Sequence, residues 1–343
     1  MAAANEQDEN RIFDDGANRG DATDVLDAET VEGYAEWFNQ TLANVELVIK
    51  GKRDQVAMAL ICLLAEGHLL LEDVPGTGKT VLAKSIAASI GGSMSRIQFT
   101  PDLLPSDVTG GLIYRQDSGF ELHRGPVFAN VVLADEINRA SPKTQAALLE
   151  VMEERQVTIG NESHAVPRPF VVIATQNPVE QAGTYRLPEA QLDRFLMRAS
   201  LGYPSEDAEV AVLASQHRTP DALASVLDTE GVRHMIAVAG RVHVDETLHR
   251  YIVRLAAASR QRSELRLGMS TRGAIALVKA SRGLAASQGR EFVKTDDVKA
   301  VAPFVMTHRL LLTPDAELKR VDPAALVQQI LESVDAPTAA RAG

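Results

Sequence analysis

Apolar positions along this chain recur in two different periods up to about residue 204, and in only one of them afterwards. The first helical stretch starts at about Val31, where Tyr34, Trp37, Phe38, Leu42 and Val45 fall three or four residues apart. A second helix is predicted over residues 55–66, and the apolar start and Gly51 of the segment VIKGKRDQV (48–56) lie just before it. Leu69, Leu70 and Leu71 then form a short apolar run of the kind that makes a buried parallel strand, and residues 81–90 return to helical spacing. Further strands are predicted at 96–100, at 130–134 and in PFVVIATQNP, which stops at Asn177. Ser141 and Pro142 open a helix that ends near Arg155, as an N-cap and first helical position should. Two alternating stretches, 111–123 around Asp117, Ser118 and Gly119 and 156–166 around Gly160 and Asn161, predict β-hairpins. Strands that alternate with helices in this way give a parallel α/β sheet with helices on both faces. From 205 to 334 only helical patterns recur, over 207–217, 231–238, 247–259, 274–287 and 296–307, so a second, α-helical domain is expected there.

The chemistry concentrates at the predicted carboxyl ends of the strands, where open parallel sheets bind their ligands. DVPGTGKT, residues 73–80, lies between the first strand and its helix. Gly76 and Gly78 let the backbone curl so that successive N–H groups point at a polyphosphate, at the positive end of the following helix. Lys79 would reach the β and γ phosphates and the Thr80 hydroxyl would coordinate Mg²⁺. The strict pattern wants glycine where Asp73 stands, and Pro75 restricts the loop entry in its place. Asp73, Val74, Pro75, Thr77 and Val81 are therefore expected around the nucleotide, as are Ile49 and Gly51 of the upstream segment.

Splitting a γ-phosphate needs charge neutralisation, an oriented water and a further cation. Asp135, ending an apolar strand, is placed to hold the Mg²⁺, and Glu136 to act as general base on the attacking water. Asn177 at the end of the next strand can orient that water. Arg194, in LPEAQLDRFLMR, is the candidate finger reaching a neighbouring subunit's nucleotide, with Arg198 and Arg139 as alternatives. Arg272, in GMSTRGA, opens a helix of the second domain and is expected to contact the γ-phosphate from there.

Composition adds boundaries. The net charge of −11 is concentrated in residues 1–30, which carry nine acids and two arginines with few large apolar groups, and read as a disordered acidic tail. The rest is near balance, which argues against a broad basic surface for duplex nucleic acid. No apolar run is long enough for a bilayer and no signal peptide precedes the first helix, so the cytoplasm is the expected compartment. Cys62, the single cysteine, falls inside an apolar run and reads as a buried thiol.

DVPGTGKT, VVLADEINRASPKTQAALLEVMEE, VVIATQNPVEQAGTYRLPEAQLDRFL and GMSTRGAIAL together resemble the MoxR family of AAA+ ATPases over residues 31–312, and many members begin the loop with Asp. The resemblance implies an AAA+ P-loop core at 31–204 with two inserted hairpins, an α-helical lid at 205–334 and a flexible end at 335–343. In that likeness Lys79 and Thr80 are Walker A, Asp135 and Glu136 Walker B, Asn177 sensor 1, Arg194 the arginine finger and Arg272 sensor 2. Met269 and Thr271 stand where the family more often has Ala and Pro. It further implies ATP and Mg²⁺ as cofactors, a homo-oligomeric and usually hexameric ring, pore-facing hairpins, protein clients and a partner with a von Willebrand factor A domain. A DNA-acting motor and a slow, nucleotide-gated assembly scaffold are the alternative readings.

Overall fold

A computed structural model describes residues 26–74, 76–117, 119–177, 185, 187–214 and 219–337 of the chain. Helix α1 (Ala28–Glu46) is opened by Asp27, whose carboxylate accepts from the Thr30 amide at 2.7 Å, and Leu26 before it is buried. The first helix and its cap thus begin before Val31, and residues 1–25 lie outside the described residues. Helix α2 (Arg53–Leu64) is apolar on every side from Val56 onward and leads into β1 (Leu69–Glu72). The phosphate-loop sequence follows, then α3 (Lys79–Ser89) and β2 (Met94–Gln98). A short α4 (Pro105–Thr109) precedes the hairpin of β3 (Gly110–Arg115) and β4 (Gly119–Arg124), in which Tyr114 faces Phe120. Then come β5 (Val131–Asp135), α5 (Pro142–Glu154) and a second hairpin, β6 (Gln156–Ile159) with β7 (Glu162–Ala165). Next are β8 (Val171–Gln176), the single turn α6 (Glu189–Leu192) and β9 (Met197–Ala199).

The main sheet has the order β2-β5-β8-β1-β9 with every neighbouring pair parallel. Alternation along its strands sorts the core into two parts: Leu69, Leu71, Leu133 and Ile173 pack on one face, Leu70, Val132, Ala134 and Val172 on the other. The edge strand β9 was not among the expected strands, because three residues leave no room for a visible alternation.

The remaining helices are α7 (Glu206–Ala214), α8 (Thr229–Arg241), α9 (Glu246–Arg260), then strand β10 (Leu265–Leu267), α10 (Thr271–Ser287) and α11 (Thr295–Met306). Strand β11 (Leu311–Leu312), α12 (Pro314–Leu318) and α13 (Pro323–Ser333) complete the fold, and β11 pairs with β10. This helical part shares one continuous core with a face of the sheet, since α10 packs on α1 and α2 and closely enough that Gly283 meets Ile61.

One buried ion pair pins the helical part to the sheet. Arg309, 6% exposed, donates from Nε to Asp193 Oδ1 at 2.7 Å, and its other nitrogens donate to the carbonyls of Phe195, Leu196 and Val305. Burial pushes its pKa below the ordinary arginine value while Asp193 opposes the shift. Asp193 also accepts from the Ser270 hydroxyl at 2.9 Å. Asp193→Ala leaves a buried guanidinium without its counter-charge, a loss of roughly 3 kcal/mol. Urea unfolding is expected to show that loss, and a midpoint equal to wild type would reject the joint.

Candidate nucleotide-binding and hydrolytic site

The loop after β1 curls as its glycines allow: Gly76 has φ +84° and Gly78 φ +89°, and the second of these leads directly into the N-terminus of α3. Lys79 folds back so that Nζ donates to the carbonyls of Asp73 at 3.0 Å and Val74 at 2.9 Å, which sets its ammonium at the mouth of the curl. Asp73 itself turns the other way. Its buried carboxylate accepts from the Ser200 hydroxyl at 2.8 Å and from the amides of Leu201 at 2.6 Å and Gly202 at 2.9 Å. The Asp73 carboxylate, expected around the nucleotide, is thus engaged by residues 200–202. It ties the loop entry to the segment after β9, a task that glycine could not perform. Pro75 lies outside the described residues.

The acid pair sits at the same end of the sheet. Asp135 is the last residue of β5 and Glu136 adopts φ +56°, a left-handed conformation costing a non-glycine residue about 1 kcal/mol. Thr175 of β8 holds both, donating to Asp135 Oδ1 at 2.6 Å and accepting from the Glu136 amide at 2.9 Å. Arg96 reaches Asp135 Oδ2 at 2.7 Å, while Gln98 Nε2 at 2.9 Å and Arg139 at 3.0 Å donate to Glu136 Oε2. Arg96, Gln98 and Thr175 were absent from the sequence reading. For Gln98, and for Arg96 two residues before it on the same face of β2, the signal lay in the pairing register, because parallel β2 and β5 set Gln98 opposite Asp135.

A cavity of about 450 Å³ is lined by residues 76–81, Arg96, Gln98, Asp135, Glu136, Thr175 and Asn177. It adjoins a second one of about 490 Å³, lined by Ile49 and its neighbours Val48 and Lys50, by Gly76, Thr77, Gly78 and Val81, and by Pro204, Val212, Leu213 and Pro220. The polar cavity suits a triphosphate and the more apolar one a purine base. Gly51 lines neither. At φ +68° a Cβ there would come within 2.7 Å of Ala208, so it packs the upstream segment closely against α7. Among the described residues no group of three His, Cys, Asp or Glu could hold a metal unaided. The hard oxygen donors of Thr80 and Asp135 in the polar cavity fit a Mg²⁺ that takes its other ligands from phosphate and water.

The arginines are elsewhere. Arg194 lies three residues before β9 and so at the amino ends of the strands, in a cleft with His68, which precedes β1. Arg272 opens α10 in the same cleft of about 320 Å³. Glu153 bridges the two, Oε2 to Arg194 at 2.9 Å and Oε1 to Arg272 at 2.5 Å. The four-residue β1 alone separates this cleft from the loop by roughly 13 Å at about 3.3 Å per residue. Arg272, expected to contact its own subunit's γ-phosphate, lines this cleft and neither of the two cavities beside the loop. Arg139 belongs to its own acid pair, and Arg198 pairs with Glu72 at 3.3 Å. His68, wedged at the amino ends, accepts from the Val172 amide and contacts the Met152 carbonyl, and burial pushes its pKa to about 3, leaving the ring neutral.

A family model described as the ATPase family associated with various cellular activities (AAA) matches residues 68–197, and one for the AAA lid domain matches residues 257–330. The chain is 41% identical to the chaperone MoxR1 of Mycobacterium tuberculosis, over 90% of this chain and 85% of that one. It is 32% identical to the protein MoxR of Paracoccus denitrificans, over 90% and 97%. The chain belongs to the MoxR family of AAA+ ATPases. An uncharacterized Bacillus subtilis protein, YeaC, shares 46% identity over 88% of this chain and 95% of its own. The crystal structure of a candidate ATPase from Cytophaga hutchinsonii superposes with a TM-score of 0.85 at 37% identity, covering 90% of this chain and 98% of that one. This MoxR-family chain is accordingly an ATP hydrolase with an AAA+ core and a helical lid.

Asp73→Ala removes the acceptor for three donors, each such bond to a charged group being worth about 1.5–3 kcal/mol. The variant is expected to unfold at lower urea and to bind ATP more weakly. Weaker binding at wild-type stability would instead make Asp73 a direct nucleotide contact.

Proposed function

We propose that this MoxR-family ATPase works as a ring in which each ATP·Mg²⁺ is completed by Arg194 and Arg272 of the adjacent subunit, and that it spends hydrolysis on remodelling or maturing client proteins. The observation that carries the reading is polarity: Lys79, Asp135, Glu136 and Asn177 gather at the carboxyl ends of one sheet and both arginines at its amino ends. A head-to-tail contact between copies brings one set to the other, and such heterologous contacts make rings where the rotation between copies closes. Hexameric assembly follows the family resemblance, as does a partner bearing a von Willebrand factor A domain.

In this reading Lys79 would secure the β and γ phosphates, and Thr80 and Asp135 would hold a Mg²⁺ whose charge would offset that of the phosphates. Glu136 takes the proton of a water oriented by Asn177. The client surface is the β3–β4 hairpin. Tyr114 and Phe120, 64% and 71% exposed, stack edge to face at 5.3 Å, flanked by exposed Leu112 and Ile113. An apolar tip whose Arg115 is already paired with Glu121 at 3.1 Å favours unfolded or flexible polypeptide over a nucleic-acid backbone. The relative from Mycobacterium tuberculosis is named a chaperone, in keeping with that reading. No described helix is long and apolar enough to cross a membrane, and the cytoplasm is the compartment we propose.

Arg194→Ala is expected to keep ATP affinity while turnover falls on the order of 10³-fold or more, the scale of a trans arginine in phosphoryl transfer. Steady-state turnover with nucleotide titration measures both, and unimpaired turnover would remove Arg194 from the site. Replacing Tyr114 and Phe120 by Ala should leave basal turnover intact and abolish capture of clients by an ATP-trapped Glu136→Gln ring. Undiminished capture would move the client surface off the hairpin.

A further inference from the structure

Glu153 has no part in the chemistry described so far, yet its carboxylate is the junction of the arginine cleft. It lies in the last turn of α5, which carries Glu153 and Glu154 and no basic residue. A negative charge there opposes the helix dipole, whose C-terminal end is itself negative. The two guanidiniums supply the compensation, Arg194 from the turn before β9 and Arg272 from the start of α10. The side chains are 30%, 36% and 50% exposed for Arg194, Glu153 and Arg272, and ion pairs this open contribute little to stability. What the bridge does contribute is geometry. Two cations that would repel each other in a cleft already lined by Arg155, Arg168 and Lys279 are held one on each oxygen of a single carboxylate. Each uses Nη2 for that bond, and a guanidinium has five N–H donors to offer.

The helix that carries Glu153 adds a second observation. Helix α5 starts with Pro142, shortly after the chain's own Asp135 and Glu136, and its 13 residues span about 20 Å to the arginine cleft. The carboxylate is thus fixed on a rigid element and not on a loop, as preorganised charge requires.

We propose that Glu153 is a positioning residue for hydrolysis in the adjoining subunit: it yokes Arg194 to Arg272 so that both guanidiniums meet the neighbour's γ-phosphate as one preformed cationic surface. The inference rests on the trans reading above. It is tested on the assembled full-length protein with Glu153→Gln, Glu153→Asp, Arg272→Ala and the Glu153→Gln/Arg272→Ala double variant. Thermal midpoint, assembly, KM for ATP·Mg²⁺ and kcat are measured for each.

Glu153→Gln is expected to assemble and melt as wild type, to keep KM within about twofold, and to lose about tenfold in kcat, a modest part of the range attributed to preorganised charge. Glu153→Asp should recover part of the loss. The double variant should lose less than the product of the two single losses, since both act through one cation pair. A Glu153→Gln kcat at or above wild type would overturn the proposal, as would single losses that multiply in full. Wild-type turnover in Arg272→Ala and Arg194→Ala would defeat the trans reading itself. Impaired arginine variants beside an unimpaired Glu153→Gln would defeat only the yoke.

Discussion

Strand polarity is the constraint on which the rest of this molecule depends. Five strands running the same way have two chemically different ends, and the connections place the phosphate loop, the acid pair and Asn177 beyond one of them. The returning connections place His68, Arg155, Arg194 and, through the packed helical part, Arg272 beyond the other. No rotamer change brings a guanidinium across the sheet to its own nucleotide. The site we propose draws on both ends and is therefore shared between two copies.

Two charged residues keep those ends in shape at a distance from the chemistry. Asp73 closes the base of the loop by taking three hydrogen bonds from residues 200–202, so loop and β9 move together. Arg309 performs the corresponding task at the amino end, joining Asp193 to the carbonyls around it and holding the helical part against the turn that bears Arg194. Both are buried, and both would be costly if left unpaired, so the position of each end is coupled to the integrity of the fold. Within the loop end, Thr175 joins the two acids and the left-handed backbone of Glu136 aims its carboxylate at the cavity.

Much of this was legible in the sequence, for physical reasons that also explain where legibility stopped. Glycines at 76 and 78 and the acids at 135 and 136 declare themselves because a phosphate curl and a strand-end carboxylate tolerate few substitutes. Strands β5 and β8 were readable from their unbroken apolar runs, whereas the three residues of β9 carry no period at all. Asp73 looked like a nucleotide contact because spacing records only that it lies in the loop, and says nothing of which way its side chain turns. Arg96 and Gln98 became visible only once β2 was paired with β5. The lid helices were legible from their period, but not where Arg272 would sit, since spacing does not show that their apolar faces extend one side of the sheet's core.

The division of the site between copies is tested most directly by mixing two inactive proteins. Lys79→Ala subunits lack a working loop but keep their arginines, and Arg194→Ala/Arg272→Ala subunits have the converse defect. In an equal mixture, interfaces that join a sound loop to a sound arginine face should arise at about one in four, and ATPase activity should return to about that fraction of wild type. Mixtures that stay as inactive as their components at every ratio, while still assembling, would contradict a site shared across the interface.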